Sequence, residues 1–129
     1  MANRTGVKTY SDTPKGWLRE RLLSLPKKIS GAAVDAGHTG YTHVLRSGLT
    51  MGEITASSML AQYDDTASDG TETAVGILMH EVDLKDGKPE DDATDHWGDL
   101  LVEGHVDASE LIGWDAAAAV DLAGKIYTS

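Results

Sequence analysis

At 129 residues the chain has room for one domain and a sizeable extension, but not for two ordinary domains. It has no cysteine, which excludes a disulfide framework or a thiolate metal site and suits a protein made and assembled in a reducing cytoplasm. The formal charge of -10 is unevenly divided: up to Arg46 eight basic residues stand against three acidic ones, a net of +5, so the remainder carries -15, and a body this acidic repels nucleic acid.

The leader MANRTGVKTYSD has no apolar run of the signal-peptide kind, and no stretch approaches the ~20 apolar residues of a membrane span, so neither export nor a membrane partner is expected. Residues 1–16 are polar, contain Gly6, Pro14 and Gly16, and show no apolar period that could hold them on a core, so they are expected to be disordered on their own. From Trp17 to Leu25, WLRERLLSL places Trp17, Leu18, Leu22 and Leu25 near one helical face, which predicts a short helix stopped by Pro26. A helix shorter than ~12 residues is marginal in water, so this one must lie either on its own body or on a partner protein. Residues 1–29 therefore read as an extended N-terminal arm and 30–129 as a β-rich domain.

Residues 27–47 are loop-rich. His38 and His43 are five apart, which fits neither a helical H-E-x-x-H site nor a zinc pattern, and they read as loop histidines. From Gly48 to Asp83 two strand-like runs flank the break DDTASDG, with Thr50, Thr55, Val75, Ile77 and Val82 supplying β-branching. Leu49 and Met51 share one parity and Ile54 has the other, which predicts a bulge at Gly52; Gly76 is a candidate for the same role. In DDTASDGTE, Asp65, Asp69 and Gly70 would fill positions one, five and six of a calcium loop. Position three would then be Ala67 and position twelve Gly76, where a bidentate Glu is required, so an EF-hand is rejected. The preferred reading is a hairpin connection turned by Asp69-Gly70, a weak incidental cation between Asp64, Asp65 and Asp69 being the lesser one.

Leu84 to Trp97 is acidic and aperiodic, an exposed loop. Leu100, Val102 and Val106 then alternate with Leu101, Glu103 and His105, which predicts a strand with one buried face, and Gly104 would allow close backbone packing. Asp107 is placed to cap a short turn through Leu111, and Asp115 to cap a helix AAAAVDLA that Gly124 ends before a last strand, KIYTS. Four consecutive alanines imply close packing, in the domain or against another copy.

Three pieces occur in a telling order: a G-x-x-x-G-x-[IV]-T pattern at Gly48, Gly52, Ile54 and Thr55; the run SDGTETAVGIL from Ser68 to Leu78; and LLVEGHVDASELIGW from Leu100 to Trp114, with DLAGKIYTS closing the chain. Together they resemble the head decoration (cement) proteins of lambdoid and related tailed phages. The resemblance implies a mainly β domain with short helices (α+β), of β-clip or β-tulip-like architecture, in which a bent two-stranded ribbon closes into a partial barrel. It further implies a homotrimer bound to the major capsid protein on the outer surface of an expanded icosahedral head, at three-fold and quasi-three-fold sites, resisting the pressure of packaged DNA. Capsid contacts are then expected from Tyr10, Trp17, Leu18, Arg19, Arg21 and Leu22 of the arm, and subunit contacts from Trp114, Ala116, Ala117, Ala118 and Ala119. The long leader and the acidic 84–97 insertion depart from the shorter members of that family.

Enzymatic readings find little support. The chain lacks G-x-S-x-G, a P-loop and G-x-G-x-x-G. His80-Glu81, and His105 near Glu103, are nominal acid–base candidates, but neighbouring strand residues point to opposite faces. A small trimeric Mg²⁺-dependent nucleotide hydrolase is the competing class, and it would need a phosphate-binding loop or basic cluster that the acidic body does not offer. The expected protein is a structural one without cofactor or metal.

Overall fold

The computed structural model describes residues 16–128. In chain order the strands are β1 (Leu18–Ile29), β2 (Val44–Leu45), β3 (Thr50–Glu53), β4 (Leu60–Gln62), β5 (Ala74–Leu78), β6 (Val82–Asp83), β7 (His96–Val106) and β8 (Ile126–Thr128), with a 3-10 turn at Ala108–Glu110 and one helix, α1 (Ala116–Asp121). The architecture is mainly β, as expected.

β1 runs antiparallel to β7 along its whole length, so the segment expected to be a helix is a strand. The helical spacing of Trp17, Leu18, Leu22 and Leu25 spans too few residues to pay for nucleation alone, whereas β7 supplies a ready line of backbone partners. Pro26 does not end the segment. It pairs with Asp99 inside the strand, a position open to a residue without N–H because β1 is an edge there. Register shifts at Leu18/Glu20, Arg21/Leu23 and Leu23/Ser24 mark bulges, which add twist to the ribbon.

The larger sheet has the order β1-β4-β3-β5-β7-β8, and the β1–β7 pairing closes it on itself; β2 and β6 form a separate pair. The break at 64–70 does not join a hairpin, because β4 and β5 do not pair: β3 lies between them and bonds to both. The stretch before that break is two strands, folded at Ile54–Met59, where the Ile54 amide donates to the Met59 carbonyl and Ser58 adopts a left-handed φ of 62°. The Asp69-Gly70 turn instead packs on the end of β3, with the Thr55 N–H donating to the Asp69 carbonyl at 2.8 Å. The bulge expected at Gly52 lies instead on the partner strand: Met51 faces Gly76 and Gly52 faces Ala74, leaving Val75 of β5, next to Gly76, as the extra residue. A Cβ on Gly52 would lie 2.7 Å from the Thr71 backbone, so the close approach of this turn requires glycine.

β7 is not buried on one face alone. Leu100 and Leu101 are both buried and belong to different core clusters, as do their partners Leu78 and Ile77 on β5. The middle of the sheet is thus covered on both sides, one cluster gathering Trp17, Val106 and Leu122, the other Ile29, Met51 and Leu84. Burial of each such side chain contributes about 1.5–3 kcal/mol. Leu84, placed in an exposed loop by its acidic surroundings, is fully buried, and His96 and Trp97 belong to β7; the exposed loop is the part between them. Gly104 permits the close packing expected of it, since a Cβ there would sit 2.6 Å from the Glu20 carbonyl oxygen.

Candidate interaction surfaces

The first surface begins where the leader joins the body. Trp17 is buried, and its indole N–H donates to Ser47 Oγ at 3.0 Å while that hydroxyl donates to the Met79 carbonyl at 2.8 Å. Gly48, at φ 91°, forms the seat, because a Cβ there would come within 3.0 Å of the indole ring. The Asp107 N–H donates to the Trp17 carbonyl, and Arg19 bonds the Asp107 carboxylate at 3.0 Å. The Ser109 hydroxyl and N–H, with Arg19 adding, hold that carboxyl below the ordinary range. Of the residues expected to touch a partner, Tyr10 lies outside the described residues. Trp17 and Leu18 pack into the domain's own core, and Arg19 is engaged with Asp107. Arg21 and Leu22 are exposed.

Beyond this root β1 offers a different kind of surface. Between Leu22 and Lys28 the described strands pair it on the β7 side only, and its other edge meets β4 at Ile29. Leu22 is 55% exposed, Leu23 42%, Leu25 42%, and Trp97 on β7 67%. Natural proteins usually blunt an edge of this length, so one carrying exposed leucines marks a place where another chain can lie. Lys27 is held at 3.1 Å from Glu53, and Arg19, Arg21 and Lys28 make the ribbon basic.

The second surface is built by α1 and β8. Asp115 caps the helix as expected, its Oδ1 accepting from the Ala118 N–H at 2.8 Å and from the Tyr63 hydroxyl at 2.9 Å. The cap amide and Tyr63 hold the Asp115 carboxyl down, while burial and then Asp115 push the Tyr63 hydroxyl up. Ala118 points into the core and is fully buried, whereas Ala116, Ala117 and Ala119 are exposed. Trp114 is half-buried against the same core. Val120 and Tyr127, which sequence reasoning did not single out, add exposed apolar area on the same elements. Ala118 is the one buried residue of this six-residue helix, whose last residue, Asp121, accepts from the Ala74 N–H at 2.9 Å.

The polar clusters serve the fold. Asp35 is fully buried; burial pushes its carboxyl up, but Arg46, donating from Nε at 2.8 Å and Nη2 at 3.0 Å, holds it below the ordinary value on balance. Asp64 and Asp69 turn onto the hydroxyls and amides of Thr66 and Thr71, closing their own turns. His38 Nδ1 meets the Val44 carbonyl and His43 faces Asp83 at 3.9 Å, so the two histidines serve different neighbours. His80 stands 4.0 Å from Asp99, both side chains 42% exposed, too far apart for a hydrogen bond that would position an acid and a base.

Against known families, the model described as Bacteriophage lambda head decoration protein D matches residues 28–122. No curated protein matches the chain significantly.

Proposed function

The chain belongs to the bacteriophage lambda head decoration protein D family, and we propose that it binds the major capsid protein on the outer surface of the expanded head, as a homotrimer at three-fold and quasi-three-fold sites. Decoration of a phage capsid is a structural task. A ligand that binds only the assembled, expanded shell stabilises that state by mass action, and this is how the protein would resist the outward pressure of packaged DNA.

The observation that carries the reading is the apolar edge of β1. Residues 22–27 lie outside the matched family segment, yet they present Leu22, Leu23 and Leu25 to solvent on a strand edge. Residues 1–15, with Tyr10, continue from the root of that strand, so arm and edge together form the proposed capsid-binding surface, into which Arg19 and Arg21 bring positive charge.

The test uses expanded heads lacking decoration, incubated with the wild-type chain or with Leu22→Lys plus Leu25→Lys. Both leucines are exposed, so the variant should fold normally. The affinity read from occupancy by cryo-electron microscopy and sedimentation should fall about tenfold or more, since burying a leucine side chain is worth about 1.5–3 kcal/mol. Full occupancy by the variant would remove the β1 edge from the binding surface; failure of the wild type to bind any expanded head would remove the function.

A further inference from the structure

The acidic loop after β6 is held shut by a backbone bond and one side chain. Thr94 donates its N–H to the Leu84 carbonyl at 2.9 Å, which brings the two ends of the loop together. His96, the first residue of β7, then reaches across: its Nδ1 lies 2.7 Å from the Thr94 carbonyl oxygen and its Nε2 2.7 Å from Asp86 Oδ1. Both oxygens accept and neither donates, because neither a carbonyl nor a carboxylate carries a proton to give. A neutral imidazole carries one N–H and can satisfy only one of them. Only the imidazolium satisfies both; in the neutral ring a nitrogen lone pair would face an oxygen lone pair at 2.7 Å, and one contact must part.

We propose that loop 84–95 is a pH-operated element, clasped by His96 while the imidazole carries both protons and released when the ring becomes neutral. The backbone under the clasp needs such a restraint. Asp86 sits at φ 54°, a left-handed conformation that non-glycine residues adopt at a cost, followed by Gly87 at φ 77°. Asp83 supports this turn by accepting from the Lys85 N–H at 2.9 Å and the Gly87 N–H at 2.8 Å.

The charges around His96 favour its protonated form. Asp86 and Asp83 face it from the loop and β6. His43, from the segment before β2, stands 3.9 Å from Asp83. From β1 the residue opposite His96 is the buried Ile29, with Lys28 one step on, opposite Trp97. Asp95, next to His96 in the chain, is turned away to accept from the Gly31 N–H at 2.7 Å. The hydrogen bond to Asp86, and then that to Thr94, raise the His96 pKa above the ordinary value, with burial opposing. A raised native pKa means that the clasp's contribution is complete below the unfolded value of about 6.5 and is lost as pH rises through the native one. The loop is therefore closed in acid and opens as pH rises through the native His96 value.

The test needs only the free, full-length chain. Histidine side-chain resonances are followed by NMR from pH 5.5 to 9, with amide exchange of Lys85, Gly87 and Thr94 corrected for intrinsic base catalysis. His96 should titrate above the ordinary imidazole value of about 6.5, and the three amides should lose protection in step with it. Each unit by which His96 is raised makes opening about tenfold easier once the ring is neutral. Asp86→Asn removes the charge but not the side-chain oxygen, so it should lower the His96 pKa and move the loss of protection to lower pH by the same amount. Titration of His96 at or below about 6.5, or protection indifferent to its titration, overturns the clasp. Neither result bears on attachment to a capsid.

Discussion

Asp35 and Arg46 show how much a single residue can carry here, and how unequal two partners of one ion pair can be. Asp35 is fully buried while the Arg46 side chain is 35% exposed, so removing either leaves a different orphan. Arg46→Ala strands a charge without water and should cost about 3–5 kcal/mol. Asp35→Asn leaves a guanidinium that can still be hydrated and should cost less, about 1.5–3 kcal/mol. Because the native Asp35 pKa is depressed, its stabilisation is present above the unfolded value of about 3.9 and fades as pH falls through the native one. Urea unfolding at pH 7 and pH 3 should therefore show the gap between wild type and Asp35→Asn closing in acid. A gap that is constant with pH, or an Asp35→Asn cost above that of Arg46→Ala, would contradict this. The pair was not legible in the sequence, since a buried carboxylate inside a glycine-rich loop has no period to betray it. The caps Asp107 and Asp115 and the close-packing Gly104 were legible, because each obeys a rule set by its immediate neighbours.

At the scale of elements, the sequence misleads where the partner strand decides. Nine residues satisfying a helical period are too few to outweigh the backbone bonds that β7 offers, and neither Pro26 nor the leucines could reveal that offer. The hairpin expected across 64–70 failed for a related reason: which strand lies between two others is a property of the whole sheet, invisible to local turn chemistry. β1 is joined to the body by its pairing with β7. Since Trp17 lies in the core and β1 pairs along β7, deletion of residues 2–15 keeps that core and ribbon and should leave a cooperative thermal melt. Deletion of 2–25 removes the indole, worth about 3–5 kcal/mol, together with most of the ribbon. Against a total of about 5–15 kcal/mol, it should abolish or strongly lower the cooperative melt. A 2–25 deletion that melts like the wild type would show β1 to be an appendage, not part of the body.

For the whole molecule, the proposed trimer addresses a problem of affinity. A single arm and strand edge that order on binding lose much of their contact energy to conformational entropy. Three linked copies on a three-fold site make the second and third contacts intramolecular, at effective concentrations up to millimolar, so weak contacts sum to durable attachment. The outward residues Ala116, Ala117 and Ala119, with Val120 and Tyr127, offer a small-residue surface on which copies can approach closely. Ala118 cannot test this, because arginine there would disrupt the subunit's own core. Ala117→Arg can, since Ala117 is exposed within one chain and the fold should survive. The variant should sediment as smaller species than the wild type at equal concentration and occupy expanded heads less fully, with an unchanged melting temperature for the monomer. If it assembles and attaches as the wild type does while a particle map places α1 facing solvent, the subunit contact lies elsewhere and the trimer must be held by other surfaces.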